Sequence, residues 1–190
     1  MEKELYQTAS DMIRIVLYGP ESTGKTTLAK QLAQHYNTKW VPEYMRVYLE
    51  NKTLVPGDEI VTYEDLSLIA KGQMQTENEL VEKAEQFLFC DTNLLELQVY
   101  AEYYFNKSPE LISKYAKKNS YNLYILTYID TPWVPDGLRD RPNDRKKMFD
   151  RFEQKLKENK LPYIIVKGNE QERLEFVVSH LDKTFKMQHY

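Results

Sequence analysis

The sequence lacks the features that would anchor a protein outside the cell. It has a single cysteine, Cys90, with no second thiol to bridge, which fits a reducing compartment. No apolar run approaches the roughly 20 residues that a membrane-spanning helix needs. The opening residues, MEKELYQTASD, are polar and acidic where a signal peptide would be basic and then apolar. Positive charge is not in excess either: the formal net charge is −3, so the basic stripe of a nucleic-acid binder is missing. Internal repeats and low-complexity tracts are absent. Together these absences point to a cytoplasmic protein with neither nucleic acid nor membrane as partner. What is present is 190 residues, enough for one α/β domain with a real core, and 15 tyrosines that supply packing and stacking capacity.

Apolar, often β-branched runs over 12–18, 39–42, 87–90, 121–129 and 163–166 read as strands. They alternate with helical patterns over 26–36, 43–50, 63–85, 94–105, 147–158 and 170–185, and Ser108-Pro109 opens a further short helix. Strands alternating with helices predict a parallel five-stranded sheet with helices on both faces. Pro56-Gly57-Asp58 punctuates the chain, and 130–144, rich in Pro, Asp and Arg and without period, predicts a long loop. Residues 1–190 are expected to form one domain, with a lid region over about 131–151.

The chemistry begins at LYGPESTGKTT, residues 17 to 27. Gly19-x-x-x-x-Gly24-Lys25-Thr26 is a complete P-loop pattern, with a predicted strand before it and a predicted helix after it. Glycines let main-chain N–H groups curl round phosphate oxygens, and the following helix presents its N-terminal donors to the same anion. Gly19, Glu21, Ser22, Thr23, Gly24, Lys25, Thr26 and Thr27 are therefore the expected ATP cradle, with Lys25 reaching the β- and γ-phosphates and Thr26 offering its hydroxyl to Mg²⁺. Asp91 ends the apolar run FLFC and should emerge at the carboxyl edge of the sheet. There it would hold Mg²⁺ with Thr26; as Asp it also suits a helix cap.

Three features favour transfer of the phosphate over its use as a switch. Glu43, just after the second strand, is placed to accept a hydroxyl proton, although the helix dipole alone favours an acid in a first turn. Arg139, Arg141 and Arg145 sit on or beside the irregular segment, where they would stabilise transition-state charge and close over the phosphates. Trp133, held between Pro132 and Pro135, offers a stiff face on which a base or a pyridinium ring would stack, with Asp136 near a ribose hydroxyl.

Gly19-Pro20-Glu21-Ser22-Thr23-Gly24-Lys25-Thr26-Thr27, Val41-Pro42-Glu43-Tyr44-Met45-Arg46, Asp91-Thr92 and Pro132-Trp133-Val134-Pro135-Asp136-Gly137-Leu138-Arg139 occur in the same order, over nearly the whole chain, as in the ribosylnicotinamide kinase domain of the bacterial NadR proteins, which this sequence resembles. The resemblance implies a nucleoside-kinase-like P-loop fold, with ATP and Mg²⁺ as cofactors. It implies nicotinamide riboside as the small-molecule partner and nicotinamide mononucleotide as product, a step of NAD salvage. Tyr44 and Arg46 join Trp133 and Asp136 as expected substrate contacts, and either Glu43 or Asp91 serves as base. NadR proteins typically carry an adenylyltransferase domain as well; no HxGH-type motif appears here, so the second step to NAD is expected to be absent. Where the family often shows Asp-Thr-Asp and then a Thr pair, this chain has Asp91-Thr92-Asn93 and then Glu96-Leu97. Another nucleoside or small alcohol as acceptor, or a nucleotide-dependent regulatory ATPase, are the alternatives. The sequence leaves the oligomeric state open.

Overall fold

The computed structural model of the protein describes residues 2–52, 60–135 and 142–185. Five parallel strands, β1 (Ile13–Tyr18), β2 (Lys39–Val41), β3 (Phe87–Asp91), β4 (Leu123–Thr127) and β5 (Tyr163–Val166), form one sheet in the order β2-β3-β1-β4-β5. The helices are α1 (Lys25–His35), α2 (Tyr44–Asn51), α3 (Asp65–Val81), α4 (Leu94–Phe105), α5 (Glu110–Lys118), α6 (Arg145–Glu158) and α7 (Glu170–Phe185), with short 3-10 turns at Glu2–Leu5 and Pro142–Asp144.

The sheet is apolar on both sides because side chains alternate along a strand. On β1, Ile15 and Leu17 face a core shared with Leu28 and Leu32 of α1 and Val177 and Leu181 of α7. Val16 and Tyr18 face the opposite core, with Met74 of α3, Leu97 of α4, Tyr115 of α5 and Phe152 of α6. All these residues but Leu97 are at most 2 % exposed, and each large apolar side chain so buried stabilises the fold by about 1.5–3 kcal/mol. Cys90 is buried in the second core, and burial pushes its thiol pKa well up, so it is inert packing.

The five-stranded parallel sheet read from the sequence is borne out; several boundaries move. β4 is shorter than 121–129 because its pairing with β5 ends at Thr127↔Val166, and Tyr121 instead donates its hydroxyl to the buried Glu77 at 2.9 Å. α3 stops at Val81, where Lys83 and Ala84 turn back onto Leu80 and Val81. α6 begins at Arg145, two residues before the periodicity starts. The polar N-terminal stretch is tied down: Leu5 is buried, Gln7 donates to Glu77 at 2.8 Å, and Arg14 pairs with Glu77 at 3.3 Å. No helix among the described residues is long and apolar enough to cross a membrane.

The register brings the chemistry together. Leu17 is level with Asp91, and Val41 with Cys90, so the chain leaves β1, β2 and β3 at one edge. Gly19, Glu43 and Asp91 therefore meet there, as ligand-binding groups of open α/β sheets do.

Candidate active site

The loop between β1 and α1 has the conformation its glycines allow. Gly19 and Gly24 have φ of 133° and 83°, a region that side chains with Cβ rarely enter. A Cβ on Gly19 would also lie 3.0 Å from Thr127 Oγ1. Gly24 occupies the cap position of α1 and offers no side-chain acceptor, and no acidic residue follows in the first turn. The first N–H groups of α1 are thus left for an anion. At α4, by contrast, the Asn93 side chain accepts from Leu95 N–H at 3.1 Å and Glu96 N–H at 3.2 Å, closing that helix to ligands.

Ser22 holds a positive φ of 57°, which only surrounding contacts sustain. Its carbonyl accepts from Thr131 Oγ1 at 2.8 Å and from Arg145 at 3.1 Å, and its hydroxyl accepts from Val134 N–H at 3.0 Å. Thr23 is buried: its hydroxyl donates to Pro20 O at 2.7 Å and lies 2.6 Å from Thr127 Oγ1. Its carbonyl accepts from Arg173 of α7, a buried guanidinium that also reaches Gly168 O at 2.8 Å, Tyr128 O at 3.1 Å and the Asp130 carboxylate.

Lys25 is nearly buried, and its ammonium donates to Gly19 O at 2.7 Å and Pro20 O at 3.0 Å. Burial works against that charge, but Glu96, Glu43 and Asp91 outweigh it and hold the ammonium pKa above its ordinary value. Thr26 Oγ1 donates to Asp91 Oδ2. Asp91 is 1 % exposed, and burial pushes its pKa up to about 6. Its second oxygen is buried without a hydrogen-bond partner, a costly state for a carboxylate unless something else binds it.

A cavity of about 470 Å³ opens from this loop. It is lined by residues 21–27 of the P-loop, by Glu43, Met45 and Arg46, and, at its apolar end, by Leu97, Tyr100, Tyr104 and Phe105 of α4 with Leu49, Ile60, Val61 and Leu66. The Tyr100 and Tyr104 rings lie nearly parallel, 24° apart with centroids 6.3 Å apart, one helical turn from each other as the i, i+4 spacing dictates. Glu43 caps α2 in position but spends no side-chain hydrogen bond on the cap; its carboxylate lies 4.0 Å from Arg46 Nε.

Gly19, Lys25, Thr26, Glu43, Arg46 and Asp91 thus converge as the sequence implied. Trp133 and Arg145 do not face this cavity. They flank the loop on its β4 side, with the Arg145 guanidinium carbon 6.0 Å from the Trp133 ring centroid. Arg145 is expected over the phosphates; its guanidinium is instead engaged by the Thr131 carbonyl, at 2.8 Å, and that of Ser22. Tyr44 does not line the cavity either: its ring sits so tightly on Gly72 of α3 that a Cβ there would overlap it. Asp136, Arg139 and Arg141 lie outside the described residues. Sequence reasoning missed Glu96, Arg173 and the Tyr100–Tyr104 wall. The wall was visible as tyrosines four apart on an aromatic helix, and Glu96 as an acid three residues after the Asn93 cap, a position easily read as a capping box.

Residues 14–173 match the AAA domain family. The chain belongs to that family. Its sequence is also 33 % identical over 156 residues to the trifunctional NAD biosynthesis/regulator protein NadR of Salmonella typhimurium, and 32 % identical over 155 residues to that of Escherichia coli. These alignments cover 80 % of this chain but 38 % and 37 % of the relatives, so the chain spans well under half the length of the curated proteins it matches. Among solved structures, NadR in complex with NR superposes with a TM-score of 0.77 at 23 % identity, over 91 % of this chain and 51 % of that one. Thymidylate kinase from Ehrlichia chaffeensis superposes with a TM-score of 0.62 at 15 % identity, over 91 % of this chain and all of that one. The P-loop kinase-like fold and the resemblance to NadR read from the sequence are both borne out.

Proposed function

We propose that this AAA-family protein is an ATP- and Mg²⁺-dependent nucleoside kinase that phosphorylates the 5′-hydroxyl of nicotinamide riboside to give nicotinamide mononucleotide. One observation carries the kinase reading: a single cavity is lined by the P-loop, by Glu43 and by an apolar set of side chains that includes Tyr100 and Tyr104. A regulatory ATPase needs only the first part of it. The NadR relatives are named for NAD biosynthesis, and a NadR protein of the same fold was solved in complex with NR; these support nicotinamide riboside as the acceptor.

In this reading the main-chain N–H groups of residues 21–26 and the Lys25 ammonium hold the β- and γ-phosphates. Thr26 Oγ1 and the Asp91 carboxylate, with its unpartnered oxygen, would hold Mg²⁺, which when bound would supply positive charge to offset that on the transferring phosphoryl group. Tyr100 and Tyr104 stack the acceptor's ring, and Arg46 and Glu43 border its sugar. Glu43 takes the 5′-hydroxyl proton as the new P–O bond forms and the bond to the β-phosphate oxygen breaks, releasing ADP. Glu43 suits this better than Asp91, because Asp91 is already engaged by Thr26 and faces the metal position. Trp133 and Arg145, on the far flank of the loop, would act on ATP rather than on the acceptor.

The test is ADP release from ATP-Mg²⁺ with a panel of nucleosides, nucleotides and shikimate. Strong stimulation by nicotinamide riboside alone supports the full reading. Stimulation by a different nucleoside replaces the acceptor and keeps the kinase. Slow hydrolysis that no acceptor stimulates identifies a regulatory ATPase.

A further inference from the structure

Glu96 stands at the third position of α4, where an acid after an Asn cap usually folds back onto the cap's own N–H. Here it does not. Oε2 accepts from Gly19 N–H at 3.3 Å, and Oε1 lies 3.2 Å from Lys25 Nζ. The carboxyl is 1 % exposed. It therefore lies behind the phosphate cradle and shares the ammonium that a triphosphate would claim. We propose that Glu96 is a positioning residue that competes with bound phosphate for Lys25, so that the protein takes up a proton on Glu96 when it closes on a nucleotide. This rests on the phosphate-binding reading above.

The argument is electrostatic. The acceptors around Lys25 are the Gly19 and Pro20 carbonyls and Glu96. When Lys25 turns to phosphate, Glu96 loses the ammonium that lies 3.2 Å from it and gains an anion nearby. A carboxylate in that position is strongly disfavoured without a counter-charge, and protonation is the way out. The groups that face Glu96 do not relieve it. Glu43 at the end of β2 and Asp91 at the end of β3 carry the same sign, while Tyr18 of β1 and Tyr100 of α4 are buried phenols whose own pKa values are raised well above the ordinary range, by burial first and then by Glu96. Burial, with these carboxylates and against Lys25, already pushes the Glu96 pKa up to about 8. Phosphate moves it higher. A group whose pKa rises on binding weakens that binding as pH rises through its unbound value. Nucleotide affinity should therefore fall above about pH 8, where the phosphates themselves are fully ionised.

Isothermal titration with a non-hydrolysable ATP analogue at pH 8.5, in buffers of different ionisation enthalpy, reads this directly. The expected result for the wild-type protein is uptake of about half to one proton per nucleotide, and a dissociation constant that rises severalfold between pH 8 and 9. Glu96→Gln should abolish the uptake, flatten the pH dependence and bind severalfold more tightly at pH 8.5. Enthalpies independent of buffer in the wild-type protein overturn the proposal without needing the variant to fold. Equal uptake by a folded Glu96→Gln protein overturns it as well. Nucleotide binding without proton uptake leaves the kinase reading intact, whereas no binding at any pH removes both.

Discussion

The two ends of the cavity are built on opposite principles. At the phosphate end the working groups are main-chain N–H groups, and their positions are fixed by side chains from elsewhere: Thr131, Arg145 and Thr127 from the β4 side, and Arg173 from α7. At the apolar end the lining groups are side chains of α2 and α4, among them the near-parallel Tyr100 and Tyr104 rings. The difference teaches where specificity resides. A cradle of backbone amides reads charge and shape and leaves little room to vary, whereas a wall of tyrosines and aliphatics changes its preference with single substitutions.

The largest effect should come from the phosphate end. Lys25→Ala is expected to lower turnover at least about a thousandfold while far-UV circular dichroism stays unchanged; a variant with near-normal turnover would make the phosphate end irrelevant to activity. Glu43→Gln should lower kcat by about a hundredfold or more if Glu43 takes the proton, with KM for ATP almost unchanged. Loss confined to KM for the nucleoside would instead make Glu43 a sugar contact.

Smaller effects should separate the ends. Tyr104→Ala removes a stacking face worth about 1 kcal/mol, so KM for the nucleoside should rise about fivefold and KM for ATP little. Trp133→Ala should do the reverse, since Trp133 lies with Arg145 on the β4 flank; a larger effect on the nucleoside would return Trp133 to the acceptor side. The subtlest expectation concerns stability. The folded-state pKa of Glu96 is raised to about 8 from an ordinary value of 4.5. Its contribution to the fold is therefore fully present below about pH 4.5 and lost as pH rises through 8. The Tm of Glu96→Gln relative to wild type should climb between about pH 4.5 and about pH 8 and level off above that. A Tm difference that does not vary with pH would mean that Glu96 titrates normally.

The residues explain how far the sequence could be read. Gly19, Gly24, Lys25 and Thr26 were legible because the motif is local: one strand, one turn and one helix start carry it. Asp91 was legible because an acid ending an apolar strand has one place to emerge. Trp133 looked like an acceptor contact because it follows a strand and is flanked by prolines, yet which flank of the P-loop it occupies depends on β4 lying beside β1 on the side away from β3. Tyr44 looked available until Gly72, on a helix nearly thirty residues later, supplied the flat seat for its ring. Glu96 matched a capping signal that was locally sufficient, and only the approach of the β1–α1 loop gave it another partner.

The sequence by itself determined the alternation of strands and helices, the phosphate-gripping loop and the acid that faces it, because each is encoded by neighbours in the chain whose sterics and hydrophobic period act over a few residues. Only the tertiary structure decided which aromatics line the cavity, that Arg145 and Arg173 brace the loop, and that a buried carboxyl shares Lys25. Those assignments depend on strand order and helix packing, which bring together groups far apart in sequence and whose burial, not whose identity, sets their charge.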